Sequence, residues 1–146
     1  MKLTLHTDYS LRVLMTLAIL ADRRVTVDEL AARHQISRRQ LMRVSATLIR
    51  LGFVNSIRGR RGGLSLAKPP GEISLGAVVR ATEKDQELVP CMSGGSCVFT
   101  GICLAAHALC GAFAAFIQEL DRITLADAVR NRSALSQRLG FSAYLH

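Results

Sequence analysis

Residues 26–67 read TVDELAARHQISRRQLMRVSATLIRLGFVNSIRGRRGGLSLA, and two spacings within them decide the fold. Thr26 stands three residues before Glu29, the arrangement of a capping box, in which a hydroxyl and a carboxylate satisfy the free amides of a helix start. Ser37 and Gln40 repeat the pattern eleven residues later. The second start predicts a helix over 38–51 with Leu41, Val44, Leu48 and Leu51 on one face, ended by Gly52 as a left-handed stop. Two capped helices joined by the short turn His34-Gln35-Ile36 make a helix-turn-helix. Two apolar runs, 53–57 and 64–67, then flank the turn Arg58-Gly59-Arg60-Arg61-Gly62-Gly63 and read as a β-hairpin with a basic tip. The expectation is a winged helix-turn-helix domain over residues 1–68.

Working outward, Thr7 is placed to cap a helix from Asp8 to about Ala21, with Asp8 at the positive end of its dipole. Lys68-Pro69-Pro70-Gly71 breaks the pattern and ends the domain. Residues 69–82 read as a connecting segment with a short helix capped by Ser74. Residues 83–103 lose all periodicity and read as a loop. A long helix over 102–123 follows, and 124–146 is read as a C-terminal helix, capped at Thr124 and Asp127, with a tail. The fold class is therefore mainly α with a small β-hairpin wing.

The long helix carries no charge between Cys103 and Gln118, while Leu109, Phe113, Phe116 and Leu120 recur at helical spacing among alanines. A surface helix shows a polar face. This one is expected to be buried nearly all round, and packing against a second copy would achieve that, so it is read as a dimerisation helix in a homodimer.

Composition agrees. The 146 residues are 49% hydrophobic but only 5% aromatic, with no Trp, which suits an Ala- and Leu-rich helical chain. The charge is uneven. Residues 1–68 hold 13 Lys/Arg against 4 Asp/Glu, a balance of +9, whereas 69–146 hold 6 against 7, a balance of −1. One basic half beside a near-neutral half points to a polyanionic partner. The most apolar run, Val13 to Ala21, falls short of the roughly 20 residues that span a bilayer. No signal peptide is read, so the expected location is cytoplasmic, away from membranes. In that reducing compartment, four cysteines between residues 91 and 110 favour metal or redox chemistry over disulfides.

Two constellations carry function. The helix after Ser37 opens with Arg38, Arg39 and Gln40 and continues through Arg43, and such residues reach base edges in the major groove of double-stranded DNA. Arg suits guanine and Gln suits adenine. Arg58, Arg60 and Arg61 at the wing suit phosphate or minor-groove contact. Arg50 alone reads as a solvated helix face. The second constellation is Cys91, Cys97 and Cys103, with five residues in each gap, in a glycine-containing loop that ends at a helix start. Thiolates ligate iron–sulfur clusters. Structural zinc sites usually need a tighter Cys pair, which is absent. Cys110 reads as a buried core thiol and His107 as a structural helix residue. A thiol–disulfide enzyme is the competing class, and the missing C-x-x-C counts against it.

These residues together resemble the NsrR-type regulators, nitric-oxide-sensing repressors of the Rrf superfamily of winged-helix iron–sulfur proteins. The resemblance spans nearly the whole chain. It rests on Thr7-Asp8-Tyr9, on Ile36-Ser37, on the run from Arg58 to Ala67, on the Cys91, Cys97, Cys103 set and on Leu120 to Asp127. It implies a homodimeric repressor on a pseudo-palindromic operator, a 4Fe–4S cluster held by the three cysteines, and nitric oxide as the signal that damages the cluster and lowers operator affinity. It further implies Asp8 of the partner subunit as fourth ligand; residue spacing alone marks Asp8 only as a first-turn acid. The sister IscR-type regulators of iron–sulfur biogenesis hold a 2Fe–2S cluster with a His three residues after the last Cys. Here His107 lies four after Cys103, which favours the nitric-oxide branch.

Overall fold

Helix α1 (Leu5–Ile19) runs through the middle of the core, with Val13 and Leu14 fully buried and Leu17 nearly so. In the computed structural model, which describes residues 2–84 and 87–141, it packs on α3 (Arg38–Arg50), α4 (Leu75–Thr82) and the hairpin. Its N-cap is Thr4, whose hydroxyl accepts from the Thr7 amide at 3.3 Å. This corrects the expectation of a cap at Thr7. Thr7, Ser10, Leu14 and Leu17 form one inward stripe at helical spacing, so the chain must already be helical at Thr7. There the Thr7 hydroxyl lies buried, 2.8 Å from that of Thr82 on α4.

The helix-turn-helix forms as its capping residues dictate. Helix α2 (Val27–His34) begins with the full Thr26/Glu29 box, Gln35 makes the turn in a left-handed conformation, and α3 begins at Ser37. The second box is only half made. Ser37 Oγ accepts from the Gln40 amide, but the Gln40 side chain takes the Ser37 hydroxyl proton at 2.8 Å rather than reaching the backbone. Leu41, Val44 and Leu48 are buried, and Gly52, at φ +76°, ends the helix.

Strands β1 (Val54–Ile57) and β2 (Gly63–Leu66) pair antiparallel, with Val54 opposite Leu66 and Ile57 opposite Gly63. Val25, just before α2, adds a bridge to Leu64 through hydrogen bonds of 2.8 and 3.0 Å. The wing is thus tied to the segment between α1 and α2. Arg24 donates to the Arg61 carbonyl at 3.1 Å and braces the tip.

A 3-10 turn at Pro70–Glu72 leads into α4, capped by Ser74 as expected. A second 3-10 turn at Pro90–Ser93 lies in the cysteine loop. Helix α5 (Leu104–Arg122) crosses α4 closely because Gly76 sits against Asp121, where a Cβ would collide with the carboxylate. Asp121 is gripped by both terminal nitrogens of Arg80, at 2.7 and 2.8 Å. The chain itself covers little else of α5. Ile117 is its only buried residue, and Leu104 is 80% exposed. Burial nearly all round is therefore not achieved within one chain, because α4 and the cysteine loop reach only part of its surface.

The C-terminal region holds two helices rather than the single one expected. Helix α6 (Leu125–Ala128) carries the Thr124/Asp127 capping box, and α7 (Arg132–Arg138) is capped by Asn131. Phe141 is buried, with the guanidinium groups of Arg23 and Arg33 over its ring at 5.4 and 4.7 Å. The expected tail over 142–146 lies outside the described residues. Among the described residues, no helix is long and apolar enough to cross a membrane.

Candidate metal centre and nucleic-acid interface

Cys91 lies in the 3-10 turn, Cys97 in the open loop and Cys103 at the N-cap of α5. All three line one cavity of about 490 Å³, open to solvent. Cys91 and Cys103 are half-buried and Cys97 is exposed. The Ala106 amide donates to the Cys103 sulfur at 3.4 Å, as an N-cap requires. All four cysteines are free thiols.

The same cavity is lined by Cys110 and His107. This corrects the reading of Cys110 as a core thiol, since Cys110 is exposed. Sequence spacing held the signal. Residues 103, 107 and 110 stand at i, i+4 and i+7, one face of a helix, so whatever faces Cys103 also faces the other two. Among the described residues no three Cys, His, Asp or Glu side chains stand close enough together to hold a metal ion. The structure brings the thiols to one cavity without converging them on one point. As a donor set, three thiolates from a loop and a helix start fit an iron–sulfur cluster.

Asp8 does not line this cavity within the chain. Its carboxylate pairs with Arg12 at 2.8 Å on the exposed side of α1. The cysteine loop is nonetheless fastened to α1 by another acid. Glu83, the first loop residue, accepts from the Thr4 amide at 2.7 Å and from the Thr4 hydroxyl at 3.0 Å. Burial opposes ionisation of Glu83, but hydrogen bonds from Thr7 and Thr4 outweigh it and hold its pKa below the usual carboxylate value. Sequence reading passed over Glu83 because the contact joins residues 79 positions apart.

The basic residues of α3 divide by partner. Arg38 is engaged, with Nε 2.7 Å from Asp28 on α2 and a terminal nitrogen 3.0 Å from the Met42 sulfur. Arg39, Arg43 and Arg50 recur at i, i+4 and i+11 on the outer face and form no ion pair among the described residues. Arg58, Arg60 and Arg61 are exposed at the wing.

The family Rrf2, described as "Iron-dependent Transcriptional regulator", matches residues 3–131. The chain belongs to the Rrf2 family of transcriptional regulators. Rrf2 relatives similar over nearly their whole length include the HTH-type transcriptional regulator NsrR of Geobacillus kaustophilus, 43% identical over 95% of this chain and 97% of its own. The NsrR of Bacillus subtilis is 40% identical over the same shares. Among solved structures, T. potens IscR superposes with a TM-score of 0.75 at 26% identity, covering 92% of this chain and 90% of that one. CymR, the global cysteine regulator of B. subtilis, superposes at 0.74 and 24% identity over 90% and 98%, a likeness of fold alone. The Rrf2 chain is accordingly a DNA-binding regulator and not an enzyme, which disposes of the thiol–disulfide alternative.

Proposed function

We propose that this Rrf2 protein is a homodimeric repressor that senses nitric oxide through an iron–sulfur cluster held by Cys91, Cys97 and Cys103, cluster damage lowering its affinity for a pseudo-palindromic DNA operator. The observation that carries the proposal is the meeting of all three thiols in one open cavity at the start of α5. When bound, a 4Fe–4S group supplies a thiolate-ligated iron centre open to a small diatomic ligand. The cavity's openness gives such a molecule access.

The protein's own residues supply the rest. Cys91 and Cys97 bind from the loop, and Cys103 from a helix start that fixes its sulfur. Glu83 holds the near end of that loop on the N-cap of α1, and α1 packs on α3. A rearranged loop therefore pulls on the helix beneath the reading helix. Arg39, Gln40 and Arg43 face base edges, Arg38 braces α3 against α2 beside them, and Arg58, Arg60 and Arg61 hold the DNA backbone. A second reading, a 2Fe–2S cluster of the biogenesis-regulator kind, draws support from His107 on the wall of the same cavity.

The test is iron and sulfide content and the visible spectrum of anaerobically reconstituted protein. Broad absorption near about 400 nm is expected, lost in Cys91→Ser, Cys97→Ser and Cys103→Ser and kept in Cys110→Ser and His107→Ala. Structured bands together with loss in His107→Ala favour the second reading. Wild-type protein that takes up no iron sinks both.

A further inference from the structure

A separate pocket of about 560 Å³ opens between the N-terminus of α1, the outer face of α3 and the C-terminal end of α4. Arg43, Arg50 and Lys84 line it, with His6 and the hydroxyl residues Thr4 and Thr47. Among the described residues, no carboxylate lines it. The three cations are exposed, and among the described residues none of them forms an ion pair. Glu83, the acid that precedes Lys84, has its Oε1 committed to Thr4. That contact also sets where Lys84 leaves α4. Burial first and the Arg43 charge second lower the pKa of His6, with Glu83 opposing and Lys84 adding to the shift.

We propose that this pocket is an anion seat for a phosphate of the DNA backbone, with Arg43, Arg50 and Lys84 as its cationic walls. Phosphate chemistry follows from the described lining, since clustered cations beside the Thr47 hydroxyl, with no acid among the described lining residues, suit a polyanion's oxygens. The DNA backbone is favoured over a free anion because Arg43 belongs at once to the pocket and to the outer stripe of α3. A duplex whose bases meet that stripe has its backbone at the stripe's edge. The inference rests on the reading of α3 as the DNA-facing helix. It adds Arg50 and Lys84 to the interface, and Lys84 stands on the first turn of chain after α4, where the cysteine loop begins. The DNA contact and the sensor loop would then share a residue.

The test measures binding of a short mixed-sequence duplex at several salt concentrations, for wild type, Arg50→Ala, Lys84→Ala and Lys84→Arg. Arg138→Ala, an exposed cation outside the pocket, is the control. Thermal melts confirm that each variant folds. Each lost phosphate contact should reduce the slope of log affinity against log salt by about 0.9. That loss is expected in Arg50→Ala and Lys84→Ala, with recovery in Lys84→Arg and no change in Arg138→Ala. A parallel titration with inorganic phosphate at fixed ionic strength distinguishes the source. Slopes unchanged in both pocket variants overturn the inference while leaving the DNA reading intact, and so does phosphate binding that the variants abolish without any change in slope. A wild type that binds no duplex overturns the inference together with the DNA reading.

Discussion

His34 illustrates how much one side chain reports about its setting. Its Nε2 lies 2.8 Å from the Thr16 hydroxyl, whose single proton is directed to the Arg12 carbonyl at 2.9 Å. The ring must therefore donate, which assigns the proton to Nε2. Burial first, and the Arg12 charge second, lower the pKa of His34 from its ordinary 6.5, with Asp8 opposing. A histidine lowered in this way binds fewer protons folded than unfolded. Stability is then unaffected above about 6.5, falls as pH drops below it, and levels once the folded-state value is passed. His6 shifts in the same direction and shares the effect. Urea unfolding at a series of pH values between about 5 and 8 should show this slope, and His34→Gln should flatten part of it. A slope unchanged in the variant would assign the whole effect elsewhere. Single residues were also where the sequence was hardest to read. Thr7 looks like a cap because Asp8 follows it, and only the buried hydroxyl pair with Thr82 explains why the helix starts earlier. Cys110 looks apolar in context because the alanines around it are, yet Ala108, Ala112 and Ala114 are exposed in the single chain.

At the scale of elements, the reading helix and the wing were legible because their signals are local. A capping box, a three-residue turn and a glycine stop all act within a few positions of themselves. What stayed hidden were pairings between distant segments, namely the Val25 bridge to the wing and the Arg38 tether to Asp28. The tether alters what α3 should do on DNA. Arg38 is held toward α2 by an exposed ion pair of about 0–1 kcal/mol, whereas Arg39 and Arg43 project freely. Arg39→Ala should therefore relax base preference, by roughly 1–3 kcal/mol for a bidentate contact. Arg60→Ala should weaken operator and scrambled duplex alike. Parallel titrations of both duplexes check this, and a specificity change confined to the wing variant would mean that the two elements have exchanged roles.

For the whole molecule, the unsatisfied feature is the end of the cysteine loop and the first residue of α5, where apolar side chains are left open beside the cysteine cavity. Leu104, Ile102, Phe99 and Val98 are all more than half exposed in the single chain. A patch of that kind marks an interaction surface, and a second copy packed there would set the two cavities and the two α1 helices near one another. In that arrangement Asp8 of one subunit would be the ligand to iron held by the other's loop, and the cluster would tie the two reading heads together. Simultaneous docking in half-sites about 34–36 Å apart tolerates little change in their separation. The structure makes this testable with little collateral damage. Within its own chain, Asp8 forms an exposed i,i+4 pair with Arg12, of about 0.3–0.5 kcal/mol, complements the α1 dipole and opposes the shift of His34. Asp8→Ala should therefore fold normally and keep the three-cysteine cluster. It should nevertheless lose most of the difference in operator affinity between cluster-loaded and nitric-oxide-treated protein. A carboxylate is a harder ligand than a thiolate, so the iron it holds is the one expected to be labile. Operator titrations of both forms, wild type against variant, measure that ratio. An unchanged ratio would leave Asp8 as a helix-dipole residue and route the coupling through Glu83, which already joins the loop to the first turn of α1.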